Sequence, residues 1–133
     1  EFVVVTTPQQ AAAQVAERSG TMASMMHQRV VGVIENMSHL VLPDGSTMEI
    51  FGSGGGEAVA TGLSQRLGYE VKLLTQVPLL ERLRESGDSG VPVVVSDPES
   101  PAAKAIQGVA DSLSGRSRGL AGMQLGLAPA GRL

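Results

Sequence analysis

The stretch RVVGVIENMS, residues Arg29 to Ser38, decides how this chain is read. From Val30 to Ile34 it is β-branched or glycine, and polarity then switches abruptly at Glu35, Asn36 and Ser38. A short, nearly continuous apolar run predicts a strand buried on both faces, as in a parallel sheet. In such sheets ligands bind beyond the carboxyl ends of the strands. Chemistry is therefore expected where this run ends, at Glu35-Asn36-Met37-Ser38.

Working outward, Phe2 to Thr6 reads as a second doubly buried strand. Thr7 is expected to cap the helix that follows, with Pro8 at its first position and Gln10 completing a capping box. That helix runs to about Met26, with Ala12, Val15, Ala16, Met22, Ala23 and Met26 on one face. Met22, Met25 and Met26 are expected to fill core, because only 2% of the chain is aromatic. His27 reads as a favourable cation at the helix end or a solvated side chain. With Arg29 to Ile34 this completes a right-handed β-α-β unit. The opening EFVVV lies inside an apolar run without an initiating Met. It leads to the expectation that a preceding part of the domain lies alongside.

Downstream, Pro43-Asp44-Gly45-Ser46 predicts a hairpin turn between Leu40-Val41-Leu42 and Met48-Glu49-Ile50-Phe51. FGSGGGE, Phe51 to Glu57, opens a helix running to Gly68. Its glycines invite a phosphate-loop reading, but no Lys follows the last Gly, and Glu57 stands where G-x-G-x-x-G needs glycine. A flexible loop capping the helix through Ser53 is expected, or a mobile loop that contacts a partner. Glu70 to Thr75 is the third predicted strand, and Val77-Pro78-Leu79 leaves its carboxyl end. A helical turn at Leu80 to Glu85 stops at Ser86 to Gly90. Val91 to Val95 is expected to be extended, at an edge because of Pro92. The last helix has Ser100 as N-cap, Pro101 at its first position, and Ala102, Ile106, Val109, Ala110 and Leu113 on its apolar face. Residues 1–113 are thus read as one α/β unit, and 114–133 as a mobile tail.

Composition narrows the function. A net charge of −3 without a basic cluster argues against a nucleic-acid surface. No apolar run approaches membrane-spanning length, and a cytoplasmic protein is expected. The absence of Cys excludes disulfides and thiolate metal sites within this chain. The two His have no Ser or Cys partner, and Glu35, Asp44, Asp88 and Asp97 read as solvated turn or strand-end acids. Two places remain, Asn36 and Val77-Pro78-Leu79. A carboxamide offers donors and an acceptor suited to a purine edge, while a structural Asn turn accounts for the same residue.

VVVTTPQQAAAQVAERSG, RVVGVIENMS, FGSGGGEAVA, QVPLLERLRESGDSGVPVV and DPESPAAKAI, taken in order, resemble the carboxyl half of the Mrp/ApbC family. These are MinD/ParA-like P-loop ATPases of the SIMIBI type, implicated in carrying iron–sulfur clusters. The resemblance extends to about Leu113, and GLAGMQLGL in the tail is similar to actinobacterial members. It implies a partial parallel sheet with flanking helices and a hairpin excursion. It also implies that Asn36 contacts adenine, that Val77, Pro78 and Leu79 line the base pocket, and that Thr7-Pro8-Gln9 lies near the nucleotide. Through the FGSGGG loop such ATPases dimerise. ATP and Mg²⁺ would be bound by the complete protein, since the family's Walker A lysine and magnesium-binding acids precede the part seen here. Homodimerisation and iron–sulfur client proteins are implied, and this segment alone is expected to be inactive. Where cluster-bridging members carry C-P-x-C, this chain reads Leu42-Pro43-Asp44-Gly45, so an iron–sulfur cluster held in that mode is not expected of it. The alternative is a non-catalytic interaction module of the same fold, working through its sheet edge and glycine loop.

Overall fold

A computed structural model describes residues 1–115. In chain order the elements are β1 (Phe2–Thr6), α1 (Gln10–Met25), β2 (Val30–Val41), β3 (Thr47–Met48), α2 (Gly55–Leu67), β4 (Leu73–Leu79), α3 (Glu81–Ser89), α4 (Val93–Ser96) and α5 (Pro101–Ser114). The tail expectation falls on residues that lie, beyond 115, outside the described ones.

Val30, Val31, Gly32 and Val33 are all buried in succession. Neighbouring residues of a strand point to opposite faces, so both faces of β2 are covered there. β2 is the centre of the sheet. β1 and β4 flank it in parallel, and β3 pairs antiparallel with its far end through Leu40↔Met48 and Val41↔Thr47. The fold is α/β, a mixed sheet with flanking helices built around a three-stranded parallel core. One core cluster joins Val4, Ala13, Ala16, Ala23, Val30, Val33, Val59, Ala60, Leu63 and Val71, with Tyr69 and Leu73 packed on it. Small residues set the spacing. Leu63 lies over Gly20, and Leu74 of β4 lies over Gly32, where a Cβ would come within 2.4 Å of its Cγ.

Several boundaries differ from the sequence expectation. β2 continues to Val41 instead of ending at Ile34, because β4 keeps pairing beyond it at Asn36↔Val77 and Leu40↔Leu79. The third parallel strand is Leu73–Leu79, not Glu70–Thr75. Val71 has turned inward to the core, and the register begins at Val33↔Leu73. Pro78 is tolerated because β4 pairs only with β2 among the described residues, which leaves its other side free of a ladder. Val93–Ser96 is a helical turn rather than an extended edge, with Val93 buried. α3 extends to Ser89 and closes on Gly90 in the left-handed region.

The helix ends bear out some expectations and overturn others. Ser100 caps α5, its hydroxyl oxygen accepting from the Ala103 amide, and Pro101 opens the helix. Thr7 does not cap α1. Its hydroxyl bonds instead to the Gln9 side chain, and Gln9, the N-cap, makes no side-chain cap bond. Ser53 does not cap α2, whose N-cap is Gly54 at φ +80°. α1 closes in a Schellman motif, with Gln28 N–H donating to Ala23 and His27 N–H to Ser24. His27 holds the left-handed position there, at φ 58°.

The methionines are not core. α1 turns Ala13, Ala16, Gly20 and Ala23 inward, while Val15, Met22, Met25 and Met26 are 54–77% exposed. The close approach of α1 to α2 at Gly20 and Leu63 leaves room for small side chains only. Leu63→Ala is therefore expected to lower unfolding free energy by about 2–5 kcal/mol. Met25→Ala should change it by less than about 0.5 kcal/mol. Urea denaturation of both variants checks the inversion, and a larger loss at Met25 than at Leu63 would contradict it.

Candidate functional site

The carboxyl ends of the parallel strands converge on the start of α2. Glu35 is only 1% exposed. One carboxylate oxygen accepts from the Gly56 amide at 2.6 Å, and the other accepts from the Gln76 side-chain amide at 2.8 Å. The approach is possible because residue 56 is glycine. A Cβ there would come within 2.7 Å of Glu35 Cβ and 2.8 Å of Leu73 Cδ1. Gly55 is equally constrained, since its Cβ would meet the backbone oxygens of Thr7 and Pro8 at 2.5 and 2.6 Å. The glycines are thus a packed junction rather than a flexible loop. A buried carboxylate also complements the positive end of the helix dipole. The Gly56 amide is occupied, in agreement with the failed phosphate-loop spacing.

Asn36 follows, half-buried. Its side-chain carbonyl accepts from the Met37 amide at 2.8 Å. Met37 takes a left-handed φ of 55°, and the β2–β4 register shifts between Asn36 and Leu40. This irregularity opens a cleft of about 400 Å³ lined by Asn36, Met37, Pro78, Leu79, Leu80, Leu83 and Arg84. Asn36 also borders a hollow of about 370 Å³ on the other side, with Val5, Thr6, Thr7 and Val15. The Asn36 amide nitrogen donates to no group among the described residues, so it is available to a ligand in either space.

Of the residues expected at a base site, the structure brings Asn36, Pro78 and Leu79 together in the cleft. Val77 does not line it. Val77 is buried, and its carbonyl accepts from the Ser38 hydroxyl at 3.1 Å, which holds the two strand ends together. Arg84 at the rim is paired with Asp88 at 2.8 Å and lies within 4.0 Å of Glu81 and Glu85. Thr7 and Pro8 approach the junction through their backbone oxygens.

Reasoning from sequence placed Glu35 among solvated acids, which the structure corrects. An available signal was its position directly after a doubly buried run, where a charge needs a partner. Asp97 is likewise not fully solvated, lying 3.7 Å from Arg82. Asp44 is exposed as expected. The Ser46 hydroxyl and then its backbone amide hold the Asp44 carboxyl below its usual range. Asp44 lies in the Leu42–Gly45 turn, which is closed by Gly45 N–H donating to the Leu42 carbonyl at 2.9 Å. Among the described residues no group of three His, Asp or Glu is arranged to hold a metal.

Comparison with known proteins fits this geometry. The family model of ParA, described as NUBPL iron-transfer P-loop NTPase, matches residues 1–114. An iron-sulfur cluster carrier protein of Mycobacterium tuberculosis is 58% identical over 132 residues, covering 99% of this chain and 35% of the relative. The chain thus spans about a third of that relative's length. Among solved structures, septum site-determining protein MinD from Pyrococcus horikoshii, complexed with Mg-ADP, superposes with TM-score 0.62 at 23% identity. It covers 90% of this chain and 42% of that one. A nucleotide-binding protein from Archaeoglobus fulgidus in complex with ADP gives TM-score 0.52 at 30% identity, covering 74% and 37%.

Glu35→Ala removes the acceptor from two donors at once. It is expected to lower stability by about 1–3 kcal/mol, the cost of an unpaired buried group. Asp111→Ala, at an exposed helix position, should change it by less than about 0.5 kcal/mol. Chemical denaturation of both variants decides whether the junction carries that weight.

Proposed function

This chain belongs to the ParA family of NUBPL iron-transfer P-loop NTPases, and from that membership we propose that it forms the adenine side of an ATP site. The observation that carries the proposal is the cleft at the ends of β2 and β4, where Asn36 presents an amide nitrogen with no partner among the described residues. Pro78 and Leu79 give the cleft an apolar wall suited to a purine face. Because the Asn36 carbonyl already accepts from Met37, its carboxamide acts mainly as a donor, toward a ring nitrogen of the base. Val77 supports this wall from behind.

The phosphate end does not fit the glycine segment, whose Gly56 amide is held by Glu35. Phosphoryl transfer requires a phosphate cradle and bound Mg²⁺, and both would come from outside these residues. The remaining two thirds of the relatives' length is the proposed source. Its proposed seat is the outer edge of β1, where Val5 is 59% exposed beside Val15, Met22 and Met26. The same apolar edge favours a second reading, a non-catalytic module that binds another protein or a second copy there. A link to iron–sulfur chemistry follows the family, with the cluster as cargo and its client proteins as partners. Without Cys, this chain supplies no thiolate to hold it.

Isothermal titration of the 133-residue chain with Mg-ATP is expected to show no micromolar binding and no turnover. Stoichiometric micromolar binding would overturn the division of the site. In the full-length protein, Asn36→Ala should weaken ATP binding about tenfold, the loss of one good hydrogen bond. Unchanged affinities for both ATP and GTP would remove Asn36 from the site. Anaerobic reconstitution of the chain with iron and sulfide should give no sulfur-to-iron charge-transfer absorption.

A further inference from the structure

Helices α3, α4 and α5 leave an apolar groove of about 390 Å³ between them, lined by Leu83, Pro92, Val93, Val94 and Ile106. Gly87 and Gly90 run along its α3 side, and a Cβ built on either would meet nothing within 4 Å. Val91 and Val95 flank it, 46% and 70% exposed. So much apolar surface around a four-residue helix forgoes a stabilisation of roughly 25 cal/mol for every Å² left in water.

We propose that this groove seats the chain's own tail, through Leu120, Met123, Leu125 and Leu127. Charge, reach and relatedness agree on that occupant. Of the ten Lys and Arg, Arg116, Arg118 and Arg132 lie in the tail and seven lie before it, whereas all thirteen acids lie before it. A basic, acid-free segment therefore follows an acidic body, and α3 beside the groove carries Glu81, Glu85 and Asp88. Ile106 lies about 12 Å back along α5 from Ser114, at 1.5 Å per residue. The linker Gly115-Arg-Ser-Arg-Gly119 extends to about 17 Å, enough to turn back and place Leu120 at the groove. The family match ends at residue 114, while the Mycobacterium tuberculosis relative matches through the tail. The segment is thus an addition to the family core that this relative shares.

Leu83 lines both this groove and the cleft beside Asn36. A seated tail would fix the α3 wall of that cleft, although the docking itself does not depend on what the cleft binds.

The absence of Cys makes the test direct, because Gln124→Cys gives one unique attachment point for a nitroxide label. In the intact 133-residue chain, the label is expected to broaden the amide signals of Leu83, Val94 and Ile106 and to spare Val4 and Val59. Adding Leu120→Ser, Met123→Ser and Leu127→Ser, all outside the described core, should restore those signals. Unbroadened groove signals would overturn the proposal and leave the tail free. Broadening that appears only when labelled chain is mixed with an unlabelled, ¹⁵N-enriched copy would overturn it in favour of a second copy.

Discussion

The buried carboxylate of Glu35 ties the ligand edge of this fold together. Removing such a group from water costs several kcal/mol. That cost is offset here by the Gly56 amide, the Gln76 side chain and the positive end of α2. The bond imposes a steric condition, since Gly56 must lack a Cβ for the carboxylate to reach it. Gly55 meets a parallel condition against the backbone of Thr7 and Pro8. The carboxyl ends of β1, β2 and β4 are thereby all referred to one helix terminus. A triple glycine that looks like slack in the chain is in fact its tightest joint.

The site beside it follows from strand geometry. Successive side chains of a strand point to opposite faces, so a Glu35 directed into the α2 junction directs Asn36 away from it. Met37 then leaves the strand conformation at φ 55°, and the ladder resumes only at Leu40↔Leu79. An interruption of this kind re-aims side chains and opens space at a sheet's end. Ser38 closes it by donating to the Val77 carbonyl. The cleft is therefore a consequence of one irregularity held between two fixed points.

The parallel core was legible because Phe2–Val5 and Val30–Ile34 are apolar runs too short for helices and too continuous for half-exposed strands. Gly68 and the Ser100-Pro101 pair were legible for a similar reason, each residue type matching a specific terminal geometry. What failed depended on tertiary contact. A helical stripe of Val15, Met22 and Met26 matches the core period, yet Ala13, Ala16, Gly20 and Ala23 face inward because α2 passes too close for larger side chains. Periodicity finds a face and does not say how near its neighbour lies. The polar switch at Glu35 was read as the end of a strand, whereas pairing with β4 carries that strand on to Val41. Asn36, Pro78 and Leu79 could be proposed from their residue types. Only coordinates could show that Val77 turns inward and that the Asn36 carbonyl is already engaged.

The hairpin tip bears on what kind of family member this is. Leu42 to Gly45 is held by its own bonds: Gly45 N–H to the Leu42 carbonyl, Leu42 N–H to the Ser46 carbonyl, and Asp44 to the Ser46 amide and hydroxyl. A turn satisfied in this way keeps its shape without a bound metal. A tip built around a cluster would instead draw its order from the ligands it holds. This chain therefore keeps the family's backbone excursion while its stability rests on turn chemistry. Any part it takes in iron–sulfur transfer must pass through surfaces other than the tip. The apolar edge of β1 and the groove between α3 and α5 are the two that the described structure leaves uncovered.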